Sequence, residues 1–173
     1  MNDLYEFSVT PYRQGLGVLA TLLTKAAEHV DERKLNPRAL LDARLFPDMI
    51  PLTGQVQIAC DHAKRGVARL LALEAPRHDD VEQSFEELQD RIASTTSFLG
   101  QHDREKFAGI DARTIELKLR GDTQTFTPAV YLTWFSFPNF YFHLTTAYDI
   151  LRHNGVPLGK RDFLGPLPGA DGR

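Results

Sequence analysis

Six histidines are spread along the 173 residues, and two of them occupy places where a polar ring needs a reason. His62 lies one turn beyond Ile58 and Ala59 and four residues before Gly66, so it shares part of the apolar face of a helical pattern. His143 is four residues after Asn139 and three before Thr146. At about 100° per residue these three side chains leave one side of a helix otherwise crowded with aromatics. Unpaired polar groups in a core cost free energy, so the trio demands partners. Two readings compete. Asn139, His143 and Thr146 hydrogen-bond one another and the neighbouring helices, a purely structural outcome. Alternatively, His62 and His143 converge from two helices on a metal, with Asn139 as a weak oxygen donor at i, i+4 spacing. Spacing alone favours the first, because core histidines are usually satisfied structurally.

The other candidates for chemistry have bland explanations. His29, His78 and His102 fall near helix ends or in polar loops and are expected to be exposed. His153 precedes Asn154-Gly155, where an imidazole suits a helix C-terminus. Glu86-Glu87 and Asp79-Asp80 read as solvated charges on polar faces or caps. The single cysteine, Cys60, excludes an internal disulfide and any multi-thiolate zinc site, and reads as a small buried hydrophobe. Gly15-Leu16-Gly17 is only a fragment of a nucleotide loop. No complete glycine loop, Gly-x-Ser-x-Gly elbow or His-Glu-x-x-His helix occurs.

Four long helices must position these residues. Tyr12, Leu16, Leu19, Leu23, Ala26 and Val30 mark the first, which fades before Pro37. The connection Leu40 to Pro51 is apolar and twice interrupted by proline, hence an ordered link packed on the bundle. Pro51 opens the second helix, carrying Val56, Ala59, Cys60, Ala63, Val67, Leu70 and Leu71 and ending at Pro76. Asp79 and Glu82 have capping-box spacing ahead of a third helix through Val81, Phe85, Leu88, Ile92, Thr95 and Leu99, stopped at Gly100. Thr114 to Arg120 alternates as a strand, Gly121-Asp122 supplies a turn, and Thr123 to Phe126 is its return partner in a short hairpin, with a plain loop as the alternative. Thr127-Pro128 starts the fourth helix, which Pro138 kinks or breaks and Asn154-Gly155 ends. Residues 155–173 are expected to form an irregular tail, its first half pinned by Phe163 and Leu164. The predicted fold is all-α, a four-helix bundle forming one domain over residues 1–173.

Composition narrows the function classes. A hydrophobic fraction of 42% and a charged fraction of 25% match soluble globular proteins. The formal charge is -3, and basic residues alternate with acidic ones along the chain, which argues against nucleic acid as a partner. No apolar run approaches the roughly 18 residues of a membrane span, and Met1 to Glu6 lacks the basic-then-apolar order of a signal peptide. A cytoplasmic location is the expectation.

The run Pro138-Asn139-Phe140-Tyr141-Phe142-His143-Leu144-Thr145-Thr146-Ala147-Tyr148-Asp149-Ile150-Leu151-Arg152-His153-Asn154-Gly155-Val156, continuing from Pro157 to Gly165, resembles the DinB/YfiT-like superfamily, as does the helix order. Within that superfamily it looks closest to a bacterial branch described only as a domain of unknown function. Members carry a three-histidine metal site, with one histidine on helix two and a His-x3-His pair on helix four. The resemblance implies that His62 is the helix-two ligand and His143 the second of the pair, with Asn139 replacing the first. A neutral amide is a poorer ligand than imidazole for zinc or nickel, so the implied site holds a divalent Ni, Zn or Fe only weakly, or none. Asp61 or Asp149 is a substitute third donor, although helix geometry turns Asp149 roughly 120° from His143. Relatives include metal-dependent thiol transferases and thiol-dependent isomerases. The implied function is thus a metal-dependent transferase or hydrolase with a degenerate histidine site. The alternative is a non-catalytic bundle that binds a small molecule or forms a homodimer, with Trp134, Phe140 and Tyr141 as pocket lining or dimer face.

Overall fold

The computed structural model describes residues 3–119 and 121–166, and its architecture is an all-α bundle with a small hairpin. The long helices are α1 (Val9–Arg33), α3 (Leu52–Leu71), α4 (Phe85–Gly100) and α6 (Phe137–His153). Shorter pieces are α2 (Arg38–Leu41), α5 (Pro128–Tyr131) and α7 (Lys160–Leu164). Strands β1 (Ile115–Leu119) and β2 (Asp122–Phe126) pair antiparallel between α4 and α5. Leu119 pairs with Asp122, so the reversal falls one residue earlier than Gly121-Asp122, with Gly121 at φ 95°. No helix among the described residues is long and apolar enough to cross a membrane.

Apolar stripes spaced by three and four meet in one core. Tyr12, Leu16, Leu19 and Leu23 of α1 face Val56, Ala63 and Val67 of α3, Leu88 and Leu99 of α4, and Phe140, Leu144, Ile150 and Leu151 of α6. Both α1 and α3 end in a left-handed residue that is not glycine, Lys34 (φ 54°) and Ala72 (φ 53°). Backbone bonds from Leu35 to Val30 and from Leu73 to Ala68 close each end. That is why α3 stops ahead of Pro76.

Three other expectations are corrected. The third long helix begins at Phe85, with Ser84 and Glu87 as its capping box, not at Asp79 and Glu82. Glu82 and Asp80 are instead drawn into ion pairs with Arg91, leaving Val81 exposed. The apolar connection is packed at Leu40 and Leu41 of α2 and at Ala43 after it, while Leu45 and Phe46 face outward. The tail is not wholly irregular. Helix α7 is tied down by a Lys25–Asp162 ion pair at 2.6 Å, a Gln14 hydrogen bond to the Leu164 carbonyl and the Tyr148–Phe163 ring contact. The expected irregular stretch beyond residue 166 lies outside the described residues.

The break at Pro138 takes a specific form. Proline has no N–H to give the carbonyl four residues back, and the chain immediately before it, Leu132–Ser136, is wound as a π-helix. This widened turn carries buried Ser136 inward, where the Tyr12 hydroxyl donates to its Oγ at 2.7 Å. A Cβ on Gly66 would come within 2.6 Å of that hydroxyl and 3.0 Å of Ser136 Oγ. Gly66 is therefore a contact surface for two other segments. Gly66→Ala is expected to destabilise the protein by about 1–3 kcal/mol in urea unfolding, because buried Tyr12 has nowhere to retreat. Gly17→Ala on α1, with open space around the new methyl, is expected to stabilise by about 0.5–1 kcal/mol in the same assay.

Candidate metal or ligand centre at the histidine pair

Helices α3 and α6 bring His62 and His143 together. Their ring centroids are 5.8 Å apart and their planes 14° from parallel. Phe135 of the π segment meets His62 edge-on at 6.3 Å, and Phe142 stands perpendicular to His143 at 5.2 Å. Both histidines are partly buried. Burial, then the neighbouring His143 and the Arg65 and Arg69 guanidiniums, push His62 down to about 4. Burial also lowers His143. Both rings are neutral near pH 7 and each carries a lone pair.

A residue absent from the sequence-level site fixes which nitrogen of His143 holds that lone pair. Gln55 is fully buried on α3, its Nε2 donating to the Ile50 carbonyl at 3.1 Å. That bond leaves Oε1 to face His143 Nδ1 at 2.8 Å, so Nδ1 carries the proton and Nε2 the lone pair. A glutamine among Leu52, Val56, Ala59 and Ala63 was the available signal, since an amide in an apolar stripe needs partners as much as a histidine does.

Asn139, His143 and Thr146 do not bond one another. Asn139 Nδ2 donates to the Phe135 carbonyl at 2.6 Å, and Thr146 Oγ1 to the Phe142 carbonyl at 2.7 Å. With its NH2 donating to that carbonyl, Asn139 keeps Oδ1 as an acceptor, which receives no hydrogen bond from the described residues. Asp61 points its carboxylate at Lys64, Arg65 and Arg91 instead of acting as a third donor to the pair. Among the described residues no three side chains of His, Cys, Asp or Glu are grouped to hold a metal. The described donors are thus two neutral imidazoles side by side, and they do not make up a closed three-histidine site.

Two of the remaining histidines depart from expectation, while exposed His153 sits in the last turn of α6 as expected. His29 and His102 are buried, not exposed. His102 packs edge-on against Phe98 and has neither ring nitrogen hydrogen-bonded among the described residues. His78 accepts from Lys64. Cys60 is buried, with its thiol pushed up to about 12 by burial, in keeping with a packing role. Phe140 is core, whereas Trp134 is 79% exposed.

Because burial holds His62 below its ordinary 6.5, the unfolded chain takes up that proton first. Stability is expected to be unaffected by His62 above pH 6.5 and to fall as the pH drops toward 4, as read by urea unfolding at several pH values. Imidazole NMR is expected to show His62 titrating near pH 4, with His143→Ala moving it upward. A His62 value at or above 6.5 in the folded protein would contradict the packing described.

Residues 4–164 match the family model described as Domain of unknown function (DUF1993). A crystal structure of a DinB family member protein from Shewanella denitrificans superposes with a TM-score of 0.90 at 39% identity, covering 97% of this chain and 98% of that one. No curated protein matches. With a shared fold over nearly the whole chain and a family match that runs from Leu4 to Leu164, the chain belongs to the DUF1993 family of DinB-like proteins.

Proposed function

We propose that His62 and His143, with Asn139 Oδ1, form a low-affinity site for a divalent transition metal in a metal-assisted transferase or hydrolase acting on a small substrate. The observation that carries this reading is the Ile50–Gln55–His143 relay. It spends a fully buried glutamine on fixing one imidazole with its Nε2 lone pair available. When bound, such a metal acts as a Lewis acid that lowers the pKa of a coordinated thiol or water. Gln55 holds the His143 tautomer, burial and then His143 and the neighbouring cations keep His62 unprotonated, and Phe135 and Phe142 flank the rings with apolar surface. Two imidazoles and an amide leave coordination positions for an exogenous ligand.

Calorimetric titration with Ni, Zn and Co is expected to show one site per chain, weaker than closed three-histidine sites and lost in His62→Ala and His143→Ala. Asn139→His is expected to tighten it by about a hundredfold, by supplying the third imidazole at i, i+4. If the wild-type chain binds no metal at millimolar concentration and Asn139→His adds nothing, the catalytic reading falls.

A second reading, a non-catalytic bundle that binds a small ligand or pairs with its own copy, is favoured by the outward aromatics. Phe7, Trp134 and Phe142 are 61%, 79% and 55% exposed. On that reading light scattering gives a dimer at tens of micromolar and Trp134→Glu gives a monomer. A wild-type monomer under those conditions ends it.

A further inference from the structure

Four cationic side chains, Lys64, Arg65, Arg69 and Arg77, line one groove of about 530 Å³ beside α3. Neither His62 nor His143 lines it. Lys64, only 2% exposed, donates to His78 Nδ1 at 2.7 Å and meets Asp61 Oδ1 at 2.9 Å. Asp61 is a single carboxylate met by three cations, the other contacts being Arg65 at 2.7 Å and Arg91 at 2.9 Å. Arg91 also takes Asp80 and Glu82. The inner group therefore balances, with Lys64, Arg65 and Arg91 against Asp61, Asp80 and Glu82. Arg69 and Arg77 are left over. Neither has a carboxylate partner among the described residues, and of the three carboxylates lining the groove Asp61 and Asp80 are already paired, which leaves Glu74 to oppose them. Arg69 is also held in place, donating to the Tyr131 hydroxyl at 3.1 Å and lying 5.9 Å over its ring. A fixed guanidinium with spare N–H groups is the forked donor that carboxylates and phosphates accept. The whole chain carries -3, so this positive excess is local.

We propose that the groove binds the anionic group of a small organic ligand, a carboxylate or a phosphate, with Arg69 and Arg77 as its principal contacts and Arg65 at the rim. Arg65 and Arg69 stand roughly one and two turns beyond His62 on α3, so the ligand's other end reaches the histidine pair. That last step rests on the pair being the reactive centre, whereas anion binding does not.

Citrate and pyrophosphate serve as probes, titrated into the full chain by calorimetry and thermal unfolding, with EDTA throughout and ionic strength fixed by KCl. At least one is expected to bind at millimolar concentration or better, raise Tm above the KCl control and move the His78 imidazole resonances. Binding of citrate alone identifies a carboxylate ligand, and of pyrophosphate alone a phosphate ligand. Arg69→Gln and Arg77→Gln together are expected to weaken binding about tenfold or more. Arg77→Gln alone, on an exposed residue, is expected to weaken it without disturbing the fold. His143→Ala is expected to bind the anion as wild type does while losing metal, which separates this proposal from that of the metal site. No response above the KCl control, or arginine variants that bind as tightly as wild type, would overturn it.

Discussion

The Tyr12 hydroxyl, bonded to Ser136 and lying against the bare backbone of Gly66, joins three segments at one point. α1 supplies the phenol, the π segment the acceptor, and α3 the absence of a side chain. Burial raises the Tyr12 pKa well above its ordinary value, so the hydroxyl stays a donor throughout the range in which the protein folds. His62 lies one turn before Gly66 on α3, and His143 follows Ser136 by seven residues into α6. The approach of α3 to α6, and hence the distance between the imidazoles, depends on this contact. A second close approach, Gly15 against the Phe140 ring, sets α1 against α6 in the same way.

The π winding has a further consequence. Inserting extra residue length in the turn before Pro138 changes the phase between side chains on either side of it. Ser136 and Phe140 turn inward while Trp134 turns to solvent. Phe135 lands beside His62, and Asn139 finds the Phe135 carbonyl within reach. The irregular turn is thus part of the centre and not merely a kink between two helices.

Charge in this protein is arranged through the fold. Arg91 is almost wholly buried, yet faces Asp61, Asp80 and Glu82, and Lys64 is buried against Asp61 and His78. Such groups are tolerable in an interior because they are paired and hydrogen-bonded. The network fastens the 72–84 segment to α3 and α4 by electrostatics where apolar contacts are few. It also draws the Asp61 carboxylate into contact with cations, while burial, and for His62 also the neighbouring His143, Arg65 and Arg69, disfavour protonation so that the imidazole lone pairs persist.

Periodicity in the sequence was sufficient for the four long helices, the hairpin, the Thr127-Pro128 start and the Asn154-Gly155 stop, because each rests on local backbone chemistry. It also singled out His62 and His143 as polar rings on apolar faces. Their meeting, the role of Gln55 and the clustering of Arg69 and Arg77 came only from tertiary structure. A helical stripe records which side is buried and not which neighbour it meets, and cations that alternate with acids along the chain are sorted by folding onto different surfaces. The start of α4 went astray for the same reason. Asp79 and Glu82 have the spacing of a cap, but Arg91, nine residues beyond Glu82, holds that carboxylate in an ion pair that no local pattern contains.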